Sequence, residues 1–422
     1  MSEERESGPP RNEQRWFWLA LALAMIPLLV GAIALAVDGG HGYRPTGDHA
    51  TNELRTSDVG DHAVLVGPYS RDNWSHPGPS YFYALAIPYR LASTTSASLF
   101  VGALIINGAA IAGIGVVARR LGGLRLALIA LLGCATLTAA VGPAYVRDPW
   151  NPYLAMLPFA FLVFLSWAMT EGELWALPVA AVVATFVMQT HIAYLPLSIP
   201  LVAWGVVWLV VSAWRAHEYR PLLRSAAVSV GVLVLLWLPP FIEQVTNTPG
   251  NVTKIVRYFR DADEPTHSVT AALRVVSVQF TLSPEWIGGP RPASPFTGGE
   301  PVYLHGTFPI PLLLVAVAGA AVFFWRTRDN RQLRLLATIA VAIVAGVASV
   351  MRTLGPAFPY RLRWAQALGM IGGVVVTYAV WRAITTVRPQ AERALHVTAY
   401  AALGVFAIGN SVAAATAGTP YL

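Results

Sequence analysis

Apolar residues run through this chain in long unbroken blocks, not at helical or alternating spacing. Eleven blocks, at 16–37, 94–118, 126–142, 152–170, 174–189, 193–213, 225–242, 308–325, 335–350, 364–381 and 394–416, contain no Asp or Glu. A helix needs about 20 apolar residues to cross the hydrocarbon of a bilayer. Helices satisfy their own backbone there, where no water can do so. The pattern predicts an all-α polytopic integral membrane protein of about 11 transmembrane helices. The first block follows a charged leader; 22 residues exceed a usual signal core, which predicts an uncleaved first helix.

Two connections are long, 38–93 and 243–307. In the first, Ser80–Leu91 is apolar and aromatic but too short to cross. It predicts an interfacial helix with its tyrosines at headgroup level. The second is rich in Pro and Gly near 284–301 and predicts a short helix at Asn251–Arg260. The other connections are short, so 1–422 is expected to form a single transmembrane domain, with any chemistry done by loops seated on helix ends.

Composition agrees: 55% of residues are hydrophobic and 12% charged, with a mean hydropathy of +0.54. A soluble domain has about 25% charged residues. The net charge of +7 and pI of about 9.7 raise the question of nucleic acid, and the position of the charge answers it. With the N-terminus inside, the short inner segments hold 16 of the 29 Lys and Arg against 9 of the 22 acids. Arg119/Arg120, Arg215/Arg220/Arg224, Arg326/Arg328/Arg331/Arg334 and Arg382/Arg388/Arg393 follow the positive-inside rule. The basicity is an orientation signal. The single cysteine, Cys134, lies in an apolar block, which excludes an intramolecular disulfide.

Reactive side chains gather at the outer edge. Histidines 41, 49, 62, 76, 191, 267 and 305 are all on or near that face. The densest stretch is Gly47-Asp48-His49-Ala50-Thr51-Asn52-Glu53, followed by Arg71-Asp72-Asn73-Trp74-Ser75-His76 and, between the third and fourth blocks, Tyr145-Val146-Arg147-Asp148-Pro149-Trp150. Carriers tend to place ionisable groups at mid-membrane, where they mark the path. The distribution here favours an interfacial enzyme; a transporter or lipid flippase is the alternative.

An acid shortly after the first helix, plus an Asp-Pro opening the fourth, resembles the GT-C superfamily of membrane glycosyltransferases. The nearest branch is that of the protein O-mannosyltransferases and lipid A aminoarabinose transferases. Thr190-His191, the Pro239–Gln244 segment and Gly250-Asn251 also look like bacterial members. The chain departs from the pattern in one respect: those families usually carry two adjacent acids in the first loop, and here Asp48 is followed by His49.

The resemblance implies a polyprenyl-phosphate sugar donor and transfer to an acceptor hydroxyl (glycan, lipid or protein) on the outer face of the plasma membrane, with inversion. An acceptor hydroxyl ionises far above neutral pH, so a carboxylate must take its proton. By resemblance that base is Asp48, with Glu53 and Asp58 nearby. Asp148 and His191 are expected to orient the acceptor. The leaving phosphate needs cations, best supplied by the planar fork of arginine. Arg71, Arg147, Lys254, Arg361 and Arg363 are the candidates, with His76 beside them. A divalent metal held by Asp48-His49, Asp61-His62 and His41 is a further reading, although their spacing is not that of a tight ligand set.

Overall fold

The computed structural model describes residues 11–38, 43–92, 94–293 and 299–418. Among them, eight helices are long and apolar enough to cross a membrane. Helix α1 (Arg11–Asp38) packs against α4 (Ser96–Val141). Between them in sequence lie two short helices, α2 (Gly47–Asp58) and α3 (Ser80–Leu91). At 46 residues α4 would be about twice as long as the hydrocarbon is thick. It is broken at Gly123, whose φ of +70° suits a residue without Cβ. Leu131 packs on Gly115, so the two halves lie side by side and supply the expected spans at 94–118 and 126–142.

The bundle continues through α5 (Met156–Thr170), α6 (Ala176–Thr190), α7 (Leu195–Ala216) and α8 (Tyr219–Thr246). The long second loop follows, with α9 (Asn251–Asp261) and α10 (Val269–Ser277). Four helices complete the bundle: α11 (Leu313–Arg326), α12 (Asn330–Met351), α13 (Trp364–Val387) and α14 (Ala391–Thr416). Each expected apolar block thus lies largely in a helix, although α11 begins only at Leu313, inside the block expected at 308–325. Helix α5, with 15 residues, reaches 20 only with the short turn Asn151–Leu154 before it, while α6 with 15 residues and α11 with 14 fall short of the roughly 20 needed to cross unaided. The helix expected at Asn251–Arg260 forms as α9.

Helix α5 is the hub and is buried almost end to end, packed on α4, α6 and α7. Apolar side chains such as Leu235 on α8 and Val405 on α14 face outward, as lipid contact requires. At the end of the bundle opposite the long loops, ion pairs join neighbouring connections. They are Arg120–Glu173 at 2.8 Å, Arg125–Glu392 at 2.7 Å, Arg382–Asp329 at 3.0 Å and Arg334–Glu171 at 3.3 Å. The arginines that carry the orientation signal therefore also tie loops together.

In one respect the first loop differs from expectation. The tyrosines of α3 turn into the protein, with Tyr81 and Tyr89 buried. The hydroxyl of Tyr81 donates to the Pro149 carbonyl at 2.6 Å, and that of Tyr83 to the Val64 carbonyl at 2.7 Å. The aromatic face of α3 anchors the first loop to the bundle.

Candidate active site

The site is assembled where the first loop meets the turn between α4 and α5. Helix α2 starts at Gly47, which adopts a φ of +53° and has open space around it. It carries Asp48 and His49 in its first turn. The His49 Nε2 donates to Asp148 Oδ1 at 2.8 Å, across 99 positions of sequence. The same oxygen accepts the backbone N–H of Trp150 at 2.8 Å, while the Trp150 indole donates to Asp48 Oδ2 at 2.9 Å. Asp148 is buried at 1% exposure. One residue, Trp150, therefore holds both carboxylates, and an oriented imidazole stands between α2 and the turn.

Glu53 faces the other way. Its Oε1 accepts from Ser96 at 2.8 Å and from Tyr89 at 3.3 Å, tying α2 to α3 and α4. Tyr43 lies within reach of both acids: burial, then the charges of Asp148 and Glu53, push its hydroxyl up to about 12.

A row of rings leads away from Trp150. Its centroid is 5.1 Å from that of Tyr360, which stacks on Phe358 at 5.6 Å. Arg71 lies over the Phe358 ring at 4.7 Å and Arg361 over it at 5.6 Å. These two guanidiniums help line a cavity of about 500 Å³, together with Glu264, His267, Glu300 and His305. His305 Nε2 donates to Glu300 at 2.5 Å, and the other Glu300 oxygen accepts the Ala357 N–H at 2.6 Å.

Arg71 owes its place to a tight ribbon. Gly67 N–H donates to the His76 carbonyl, His76 N–H to Pro68 and Ser70 N–H to Trp74, with Asn73 at positive φ. Asn251 at the start of α9 exchanges two 2.8 Å hydrogen bonds with the Ser75 backbone. That clamp fixes α9 over the cavity, where Tyr258 forms part of the wall.

His76 and His191 form a buried pair with ring centroids 4.6 Å apart. Each Nδ1 accepts a backbone N–H, from Ile192 at 3.1 Å and from Ala193 at 3.3 Å respectively. Their protons must therefore sit on Nε2. Burial, reinforced by the Arg361 charge, pushes His76 down to about 3. Burial, then the charges of His76 and Arg361, hold His191 well below the usual histidine range.

The remaining candidates are spread out. Arg147 donates to the carbonyls of Ala417 and Gly418, beyond α14. Lys254 is exposed on α9, away from the cavity wall. Arg363 lies over the Tyr145 ring, 5.6 Å from its centroid. Asp58 faces Arg55 and His62 at the far end of α2. His41, invoked for a metal, lies outside the described residues. Among the described residues no three His, Cys, Asp or Glu side chains are grouped to hold a metal ion. The partners missed by sequence reasoning are His49 as a ligand of Asp148, and Phe358 as the ring beneath two arginines.

No family model and no curated protein sequence matches the chain. Solved structures do. The fold is similar to that of ArnT from Cupriavidus metallidurans bound to undecaprenyl phosphate. The TM-score is 0.54 at 15% identity, over 95% of this chain and 76% of that one. The same enzyme in its apo state gives a TM-score of 0.50 at 16% identity, over the same shares. The chain thus has an ArnT-like fold and is a multi-pass membrane protein.

Proposed function

We propose that this chain is a membrane glycosyltransferase. It moves a sugar from a polyprenyl-phosphate donor to an acceptor hydroxyl on the outer face of the plasma membrane, with inversion. The observation that carries this reading is the bridge through Trp150, which brings the Asp48 and Asp148 carboxylates to one place beside a row of rings ending at two arginines. The likeness to a fold solved with undecaprenyl phosphate supports a polyprenyl-phosphate donor.

The chemistry divides among these groups. Asp48, on the more open side of Trp150, accepts the hydroxyl proton as that oxygen attacks the anomeric carbon. The indole N–H keeps its carboxylate in one orientation. Asp148 and His49 orient the acceptor, as a buried acid orients an imidazole in other base–orienter pairs. The bond from the anomeric carbon to the donor phosphate breaks as the new one forms. Arg71 and Arg361 stabilise the departing phosphate and the charge developing around it. The Tyr360 and Phe358 faces offer a stacking floor for the sugar between them.

The test is the anomeric configuration of the product. Purified protein given a polyprenyl-phosphate sugar of known configuration together with an extract of envelope acceptors is expected to form an inverted glycoside, read by ¹H NMR. A retained configuration would rule out the single displacement with Asp48 as base.

A further inference from the structure

Helix α9 starts where a membrane-crossing helix ends. At 28 residues α8 is about 42 Å long, enough to carry its last turn past roughly 30 Å of hydrocarbon to headgroup level. That last turn holds the start of α9. Glu243 accepts the Asn251 N–H at 2.8 Å, and the Gln244 side-chain oxygen accepts those of Val252 at 2.9 Å and Thr253 at 3.3 Å. The end of α8 thus supplies acceptors to N–H groups that a helix leaves open at its start. This places the first turn of α9 at the membrane surface.

The two faces of α9 differ. Val252, Val256 and Phe259, spaced i, i+4 and i+7, share one face and are 42%, 55% and 46% exposed. Lys254, Arg257 and Asp261 share the opposite face and are exposed as well. Asn251 and Tyr258 lie on a third side, toward the Ser75 clamp and the cavity wall. The last turns of α8 leave Phe241 and Val245 exposed too, so the uncovered apolar surface of a lipid-facing helix continues onto α9. A short helix with one apolar and one charged face lies in the plane of the interface, its apolar side about 5–10 Å deep.

We propose that α9 docks on the membrane leaflet beside it, with Val252, Val256 and Phe259 among the upper acyl chains and Lys254 and Arg257 in water. The partner is the lipid surface itself. The contact reaches the site, because the Trp74 ring packs on those of Tyr258 and Phe259, with centroids 5.8 and 6.3 Å away. Trp74 and Ser75 belong to the ribbon that carries Arg71. A docked α9 therefore holds the Arg71 side of the cavity at the level of the lipid. That transfer depends on this, since a lipid-borne donor arrives at that level, rests on the transferase reading; the docking itself does not.

The test uses the full-length protein, one chain per nanodisc of phosphatidylcholine. The single cysteine, Cys134, is fully buried, so a thiol-reactive bimane labels only a cysteine introduced on α9. A probe at Val256→Cys should be quenched by a nitroxide on the upper acyl chain and shielded from aqueous iodide; one at Arg257→Cys should show the reverse. Equal iodide quenching at the two positions would overturn the docking. So would a probe at 256 shielded from both quenchers, since protein would then cover the face. With the probe moved to Val252→Cys, adding Val256→Asp sets a carboxylate against lipid and should raise iodide quenching at least about twofold. Adding Val256→Leu should leave the signal unchanged, and an unchanged signal with Val256→Asp would contradict the docking. In proteoliposomes, Val256→Asp should transfer sugar at least about threefold more slowly than Val256→Leu, as for a displaced binding group. Equal transfer by an undocked Val256→Asp would overturn the link to the site. A docked wild type that transfers no sugar would overturn the transferase reading alone.

Discussion

The indole of Trp150 donates to Asp48 at 2.9 Å, so a helix of the first loop and the turn before α5 share one hydrogen bond at the centre of the site. Trp150→Phe keeps an aromatic ring and the backbone N–H that Asp148 accepts, and removes the indole donor with the smaller half of its bicycle. The variant should keep its stability and lose about tenfold in kcat, the effect of a misoriented catalytic group. Steady-state kinetics and thermal unfolding in detergent check both halves. Unchanged kcat would separate Trp150 from the chemistry.

Asp148 is expected to matter twice. Asp148→Leu leaves the His49 N–H and the Trp150 N–H without their acceptor, which should cost about 1–3 kcal/mol of stability. Asp148→Asn keeps an acceptor oxygen and should fold nearly as well as wild type. Its transfer rate should still fall, since the negative charge that orients His49 is gone. Denaturation midpoints and kcat of the two variants distinguish these contributions.

Gly78 illustrates how closely the first loop is fitted to the bundle. A Cβ there would meet the Gln189 amide at 2.4–2.6 Å. That amide is held at both ends, accepting from Ser80 N–H and donating to the Leu236 carbonyl, each at 3.0 Å. Gly78→Ala should therefore destabilise by about 1–3 kcal/mol and loosen the loop that carries His76. A melting temperature equal to wild type would show that Gln189 yields freely.

The buried histidines give a pH dependence. In the unfolded chain His76 takes up a proton near pH 6.5, whereas in the fold it stays neutral down to about 3. Between those values the unfolded state binds more protons, so stability is greatest above 6.5 and falls as pH drops. The limiting slope is about 1.4 kcal/mol per pH unit for each such histidine. His76→Asn keeps an oxygen for the Ile192 N–H and should flatten the profile between pH 7 and 5. Parallel wild-type and variant profiles would contradict the assignment.

Much of the fold is legible in the chain because crossing a membrane imposes a length and a polarity that few other constraints disturb. The α3 boundaries, Ser80–Leu91, follow from an apolar run too short to cross, and α9 forms where a short helix was expected in the polar second loop. Which way Tyr81 and Tyr89 turn does not, because an aromatic face suits a headgroup region and a protein interior equally well. Helix α2 was invisible to apolar patterning: its twelve residues are mostly polar, and tertiary bonds from Trp150 and Ser96 fix its acids in place. The contact of His49 with Asp148 joins distant segments and has no local signature. Likewise, adjacency in Pro359–Arg363 gave no hint that Arg361 and Arg363 part company at the start of α13.

The central claim is covalent transfer with Asp48 as base. It is tested most directly in proteoliposomes carrying a polyprenyl-phosphate donor labelled in the sugar, with an extract of envelope acceptors outside. Wild type should move the label from carrier to acceptor, and Asp48→Asn, equally folded, should slow this by about 10²–10⁴-fold. Label that crosses the bilayer still attached to its carrier, at equal rates in both proteins, would contradict the account and identify a transporter.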